Sequence, residues 1–141
     1  MSCPYFFPVE PRARDSQAAL LPLGNLWSGI CRAVSGQAAP PKEELLRPLC
    51  HLGYARGTCL RFPAGDPGPD AVRFTISGDD GRSVHLYYVL ERDHHPFAHG
   101  PLEYSLARGL VAAAPNEILG RQVEAYVASY LERKRGAAHA E

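Results

Sequence analysis

Ala71-Val72-Arg73-Phe74-Thr75-Ile76, then Ser77-Gly78-Asp79-Asp80-Gly81-Arg82, then Ser83-Val84-His85-Leu86-Tyr87-Tyr88-Val89-Leu90 is the stretch whose reading decides the fold. Apolar and polar residues alternate on both flanks, and Gly78-Asp79-Asp80-Gly81 supplies turn chemistry between them, so residues 71–90 read as an antiparallel β-hairpin. A period of two puts Val72, Phe74 and Ile76 on one face of the first strand. It puts Val84, Leu86, Tyr88 and Leu90 on one face of the second, leaving His85, Tyr87 and Val89 opposite.

A hairpin with one apolar face needs a second layer to cover it. The C-terminal sequence supplies one. From Pro115 or Asn116 onward, Ile118, Leu119, Gln122, Val123, Tyr126, Val127, Tyr130 and Leu131 fall on one broad helical face. Glu117 suits the positive end of that helix and Arg133, Lys134 and Arg135 the negative end, with Gly136 as its stop and 136–141 as a frayed tail. The expected class is α+β: a single domain over 1–141, its antiparallel sheet centred on residues 71–90 with the C-terminal helix packed across it. Leu102 to Val111 is weakly patterned and is a candidate third strand.

The first half is richer in turns. Residues 1–24 contain Pro4, Pro8, Pro11 and Pro22 around the aromatic run Tyr5-Phe6-Phe7. They read as an extended arm lying on the domain, with Arg12 to Gln17 as a mobile loop. Leu26, Trp27, Ile30 and Cys31 favour a short strand. A helix is expected from about Pro41 to Leu52, with Leu45, Leu46, Leu49 and Leu52 as its apolar stripe, Gly53 as its stop, and Pro48 as an interruption. Residues 63–69, Pro-Ala-Gly-Asp-Pro-Gly-Pro, read as a mobile loop.

Length and composition narrow the function. A chain of 141 residues with 45% apolar and 21% charged residues is an ordinary domain with a core of its own. Lysine plus arginine and aspartate plus glutamate balance at 15 each, so the field that draws a protein to phosphate backbones or anionic lipid is missing and no nucleic-acid partner is expected. No stretch approaches the roughly 18 uninterrupted apolar residues of a membrane span, and the N-terminus lacks a basic region followed by an apolar one. The expected location is cytoplasmic.

The residues that imply chemistry beyond packing are Cys3, Cys31, Cys50 and Cys59, the only four cysteines of the chain. In a reducing compartment cysteines serve more often as metal ligands or reactive thiols than as disulfides. Without any CxxC pair the spacing disfavours zinc knuckles, whereas single cysteines on separate loops suit a [4Fe-4S] cube that takes one thiolate per iron. The expectation is a small non-catalytic metal-binding protein whose four cysteines hold one centre, a [4Fe-4S] cluster for structure, electron transfer or redox sensing, with zinc as the alternative metal. Buried free thiols are the competing reading, giving a metal-free protein-interaction module; disulfides or a redox pair are the third. A protein or redox partner is implied in each case.

His94, His95 and His99 form a second candidate, as a general base or metal site in an enzyme, with Glu91, Asp93 and Glu103 nearby. Glu91 to Pro101 otherwise reads as a polar loop. His51 is an alternative ligand, or by default a cation at a helix end. Arg56 reads as an anion-recognition residue or half of a structural ion pair.

Overall fold

The computed structural model describes residues 1–12, 21–34 and 36–140, with side chains as far as residue 135. Ala13 to Gln17 of the expected mobile loop lie outside the described residues. Two strands pair antiparallel near the N-terminus, β1 (Phe6–Pro11) and β2 (Trp27–Cys31). A one-turn helix α1 (Glu43–Leu45) leads into a π-helical turn (Leu46–His51). A four-stranded antiparallel sheet follows in sequence order, β3 (Ala71–Asp79), β4 (Ser83–Arg92), β5 (His95–Ser105) and β6 (Leu110–Ala112). The helix α2 (Glu117–Ala140) closes the chain.

The α+β expectation is met, hairpin included. Val72, Phe74, Val84 and Leu86 are buried on one sheet face, while Arg73, Thr75 and Tyr87 are exposed on the other. Leu119, Val123, Ala125 and Val127 of α2 join that core, and the Tyr126 ring lies 5.6 Å from the ring of Phe74. The hairpin turn falls later than expected. Ile76 to Gly78 form a bulge, and the chain reverses at Asp80-Gly81-Arg82 with Gly81 at φ 82°. The Asp80 carboxylate there accepts hydrogen bonds from the amides of Arg82 and Ser83.

Four local expectations change. Residues 91–101 are not a loop: β4 and β5 are joined by Asp93-His94, whose φ values of 51° and 62° are those of a type I′ turn. The segment around Pro48 is a π-helix rather than an α-helix, because a proline without an N–H cannot sit in a regular i→i−4 ladder. Leu52 accordingly faces solvent. The loop at 63–69 is tied down, for the Arg56 guanidinium donates to the carbonyls of Ala64, Asp66 and Gly68 and to the Asp70 carboxylate. Gly136 does not end α2, which continues over 136–140.

The N-terminal arm is pinned from two sides. Ser2 exchanges backbone hydrogen bonds with Val72 at 2.7 and 2.8 Å, extending the free edge of β3. From α2, the fully buried Gln122 donates to the carbonyls of Cys3 and Phe6 at 2.8 Å each, and its own carbonyl oxygen accepts from the Ser2 hydroxyl at 2.7 Å. Gln122 thus lies on the inward face, as expected, but as a polar clamp.

Candidate functional site: a cavity lined by four thiols

Four separate segments deliver the cysteines. Cys3 precedes the arm's first proline, Cys31 ends β2, Cys50 lies in the π-helical turn, and Cys59 sits in a tight turn where its N–H donates to the Ala55 carbonyl at 2.7 Å. Backbone hydrogen bonds set their mutual placement. The Cys3 N–H donates to the Cys50 carbonyl at 2.9 Å, and the pairing of β1 with β2 puts Phe6 opposite Cys31.

Together the four thiols line one small cavity of about 20 Å³, walled by Phe6, Ala33, Leu49, Ala55 and Phe62. Cys3 is buried, whereas Cys31, Cys50 and Cys59 are half-buried. Burial, reinforced by the neighbouring sulfurs, pushes the Cys3 thiol far above its ordinary value. The same causes push Cys50 up to about 12. Both thiols are protonated at neutral pH in this environment.

Cys31 differs from the others. The Arg61 side chain lies over its sulfur, with Nε donating to Sγ at 3.4 Å, while the far end of the same guanidinium donates to the Gln37 carbonyl at 2.5 Å. A cation with a fixed second anchor therefore stands at one sulfur of the four. Nothing in the sequence marks Arg61 for this role, since it is one of many arginines and its contacts lie 24 and 30 residues away.

The expected metal centre is overturned. Among the described residues no group of three or more histidine, cysteine, aspartate or glutamate side chains is placed to hold a metal ion. The sulfurs share a cavity with room for about one water molecule, not a cage open enough for an eight-atom cluster. The chain is therefore not read further as a four-cysteine metal-binding protein.

The histidine loop does not assemble either. The His94 ring stacks on Tyr54 at 4.1 Å and 9°, His95 Nδ1 lies 2.7 Å from the Asp93 carbonyl, and His99 Nδ1 meets the Tyr87 hydroxyl. Each has a separate partner, His94 in the turn and His95 and His99 on β5. Tyr54 also hydrogen-bonds Glu91, and burial together with that carboxylate pushes its hydroxyl up to about 12. The enzyme reading built on this loop has no geometric support.

His51 is no helix-end cation. It is fully buried, its Nε2 sits against the backbone N–H and C=O of Trp27 at 3.1 and 2.9 Å, and its Nδ1 has no hydrogen-bond partner among the described residues. Desolvation lowers its pKa, so the ring is neutral. Arg56 proves structural, its guanidinium 2.6 Å from the buried Asp70 carboxylate.

No helix among the described residues is long and apolar enough to cross a membrane. A scan against protein-family models finds no match, and comparison with curated proteins and with solved structures finds nothing similar.

Proposed function

We propose that this domain is a thiol-based redox responder, in which cysteines of the shared cavity pass between dithiol and disulfide forms and a protein or redox partner reads the change. The observation that carries this reading is the meeting of all four cysteines at one cavity from four separate segments of the chain. Thiols dispersed through a core are inert packing groups; thiols facing one another can exchange. Two contacts hold these segments together in pairs: the hydrogen bond between the backbones of Cys3 and Cys50, and the Arg61 side chain, two residues after Cys59, on the Cys31 sulfur.

Such chemistry has structural reach here. The segments that bear Cys3, Cys31, Cys50 and Cys59 are otherwise joined by hydrogen bonds and apolar contacts alone, so a new covalent link would restrain them. A balanced formal charge favours a protein or small-molecule partner over a polyanion.

The test is a thiol count on unfolded protein, made once after full reduction and once after treatment of the folded protein with a hydroperoxide. The expected result is four titratable thiols before and fewer after, the missing ones restored by a dithiol reductant. An unchanged count of four after oxidation, or a reduced protein that purifies with iron or zinc held through the thiols, would overturn the reading.

A further inference from the structure

Resting on that thiol reading, the geometry points to Cys31 as the sulfur that oxidants meet first, to Arg61 as the residue that positions it, and to Cys59 as the thiol that resolves it. Three observations converge. Cys31 carries a charge-assisted donor, the Arg61 Nε at 3.4 Å, and the other end of that guanidinium is fixed on Gln37. Cys31, Cys50 and Cys59 are half-buried, while Cys3 is only 8% exposed on the arm that Gln122 clamps, which leaves Cys3 as the least accessible sulfur. Arg61 follows Cys59 by two residues, in a turn held by the Cys59 N–H to the Ala55 carbonyl and the Phe62 N–H to the Cys59 carbonyl at 3.1 Å. The guanidinium that reaches Cys31 is thus carried on the same turn as the resolving thiol.

The chemistry needs a two-electron oxidant, and a hydroperoxide is the class that suits a cavity of about 20 Å³. The Cys31 sulfur gives up its proton and attacks the distal peroxide oxygen, the O–O bond breaks, and the products are a sulfenic acid and the alcohol or water formed when the leaving oxygen takes a proton. The Cys59 sulfur then attacks the sulfenic sulfur, the S–O bond breaks, and water leaves. Overall two thiols and one hydroperoxide yield one disulfide, one alcohol or water molecule, and one further water. A cation beside the attacking sulfur favours the first step. Cys3 stays reduced because it is buried, and Cys50 because the turn that carries Arg61 to the Cys31 sulfur bears Cys59 and not Cys50.

The experiment follows the reduced full chain reacting with hydrogen peroxide, reading free thiols over time and mapping the linked cysteines by peptide mass. Wild type should lose two thiols and link Cys31 to Cys59. Arg61→Leu should slow that loss roughly tenfold and Arg61→Lys should restore most of it, as expected for a charge at sulfur rather than for packing. Cys59→Ser should leave a sulfenic acid at Cys31 that a dimedone-type reagent traps; Cys31→Ser should abolish the link. Equal rates in Arg61→Leu and wild type, or no rescue by lysine, would overturn the role of Arg61 while leaving the thiol reading intact. A disulfide between other cysteines would overturn the assignment of the pair. If the wild type loses no thiol at all, the thiol reading itself falls.

Discussion

Gln122 Nε2 donates to the carbonyl oxygen of Cys3 at 2.8 Å across a sequence separation of 119 residues, so the C-terminal helix holds the backbone of the buried cysteine in place. The same amide serves Phe6 and accepts from Ser2. All three of its side-chain hydrogen bonds go to the N-terminal arm, whose Cys3 and Phe6 wall one side of the thiol cavity.

Replacing Gln122 by leucine should therefore cost far more than a surface change. It removes three buried hydrogen bonds, although the Ser2 hydroxyl keeps the Val72 carbonyl and the Cys3 carbonyl keeps the Phe6 amide, so a loss of about 1–3 kcal/mol is expected in urea unfolding. In the folded variant Cys3 should become accessible to alkylating reagents. A loss below about 1 kcal/mol with Cys3 still protected would mean that the arm is held by its apolar contacts alone.

Arg56 is expected to be the second most sensitive polar position. Its guanidinium joins the Asp70 carboxylate to the carbonyls of Ala64, Asp66 and Gly68; with Asp70 still bonded to the Asp93 amide and Arg92 still on the carbonyls of Asp66 and Gly68, its loss costs about 1.5–3 kcal/mol. Arg56→Lys should not rescue it, because a single ammonium cannot reproduce the fork. Limited proteolysis checks the local consequence: cleavage within 63–69 should appear in the variant and be absent from the wild type.

At the far end of the sheet, Asp79 accepts from the Tyr130 hydroxyl at 2.8 Å and from Lys134 at 2.7 Å, tying the hairpin to α2. The hydrogen bond from Lys134, then those from the Gly81 amide and Tyr130, hold its carboxyl down to about 2. Since the folded value lies below the ordinary 3.8, this contribution is complete above that pH and is lost as pH falls from 3.8 toward 2. Asp79→Asn should flatten that limb of a stability-versus-pH curve. Parallel limbs in variant and wild type would show that other carboxylates dominate acid unfolding.

The parts of this fold that were legible beforehand are those where one local pattern faces one apolar layer. Val72, Phe74, Val84 and Leu86 carry the hairpin, and Leu119, Val123 and Val127 the helix, because burial on a single face leaves its period in the sequence. The turn at Asp93-His94 was not legible, since type I′ turns are announced by Asn-Gly or Asp-Gly. Here a histidine adopts positive φ with its ring stacked on Tyr54, a partner 40 positions earlier that only tertiary structure supplies. The cysteines were recognisable as a group by their exclusiveness to the first 59 residues. Their spacing could not reveal the size of the cavity they share or the arginine on the Cys31 sulfur.

That turn offers a test of its own. Asp93→Asn combined with His94→Gly installs the preferred pair and removes a strained φ worth about 1–2 kcal/mol, at the expense of the Tyr54 stack at about 0.5–1.5 kcal/mol. A small rise in melting temperature is expected. A clear fall would mean that the Tyr54–His94 stack, not the backbone, holds β4 and β5 together.

The most direct measurement is the thiol inventory of the folded wild-type chain before and after hydrogen peroxide, with the linked residues mapped by mass spectrometry and metal content determined on the same sample. Four free thiols are predicted in the reduced protein, two after oxidation with Cys31 joined to Cys59, and recovery of four with a dithiol. Four thiols that persist through oxidation, or iron or zinc bound stoichiometrically through the cysteines, would contradict a redox role for this cavity.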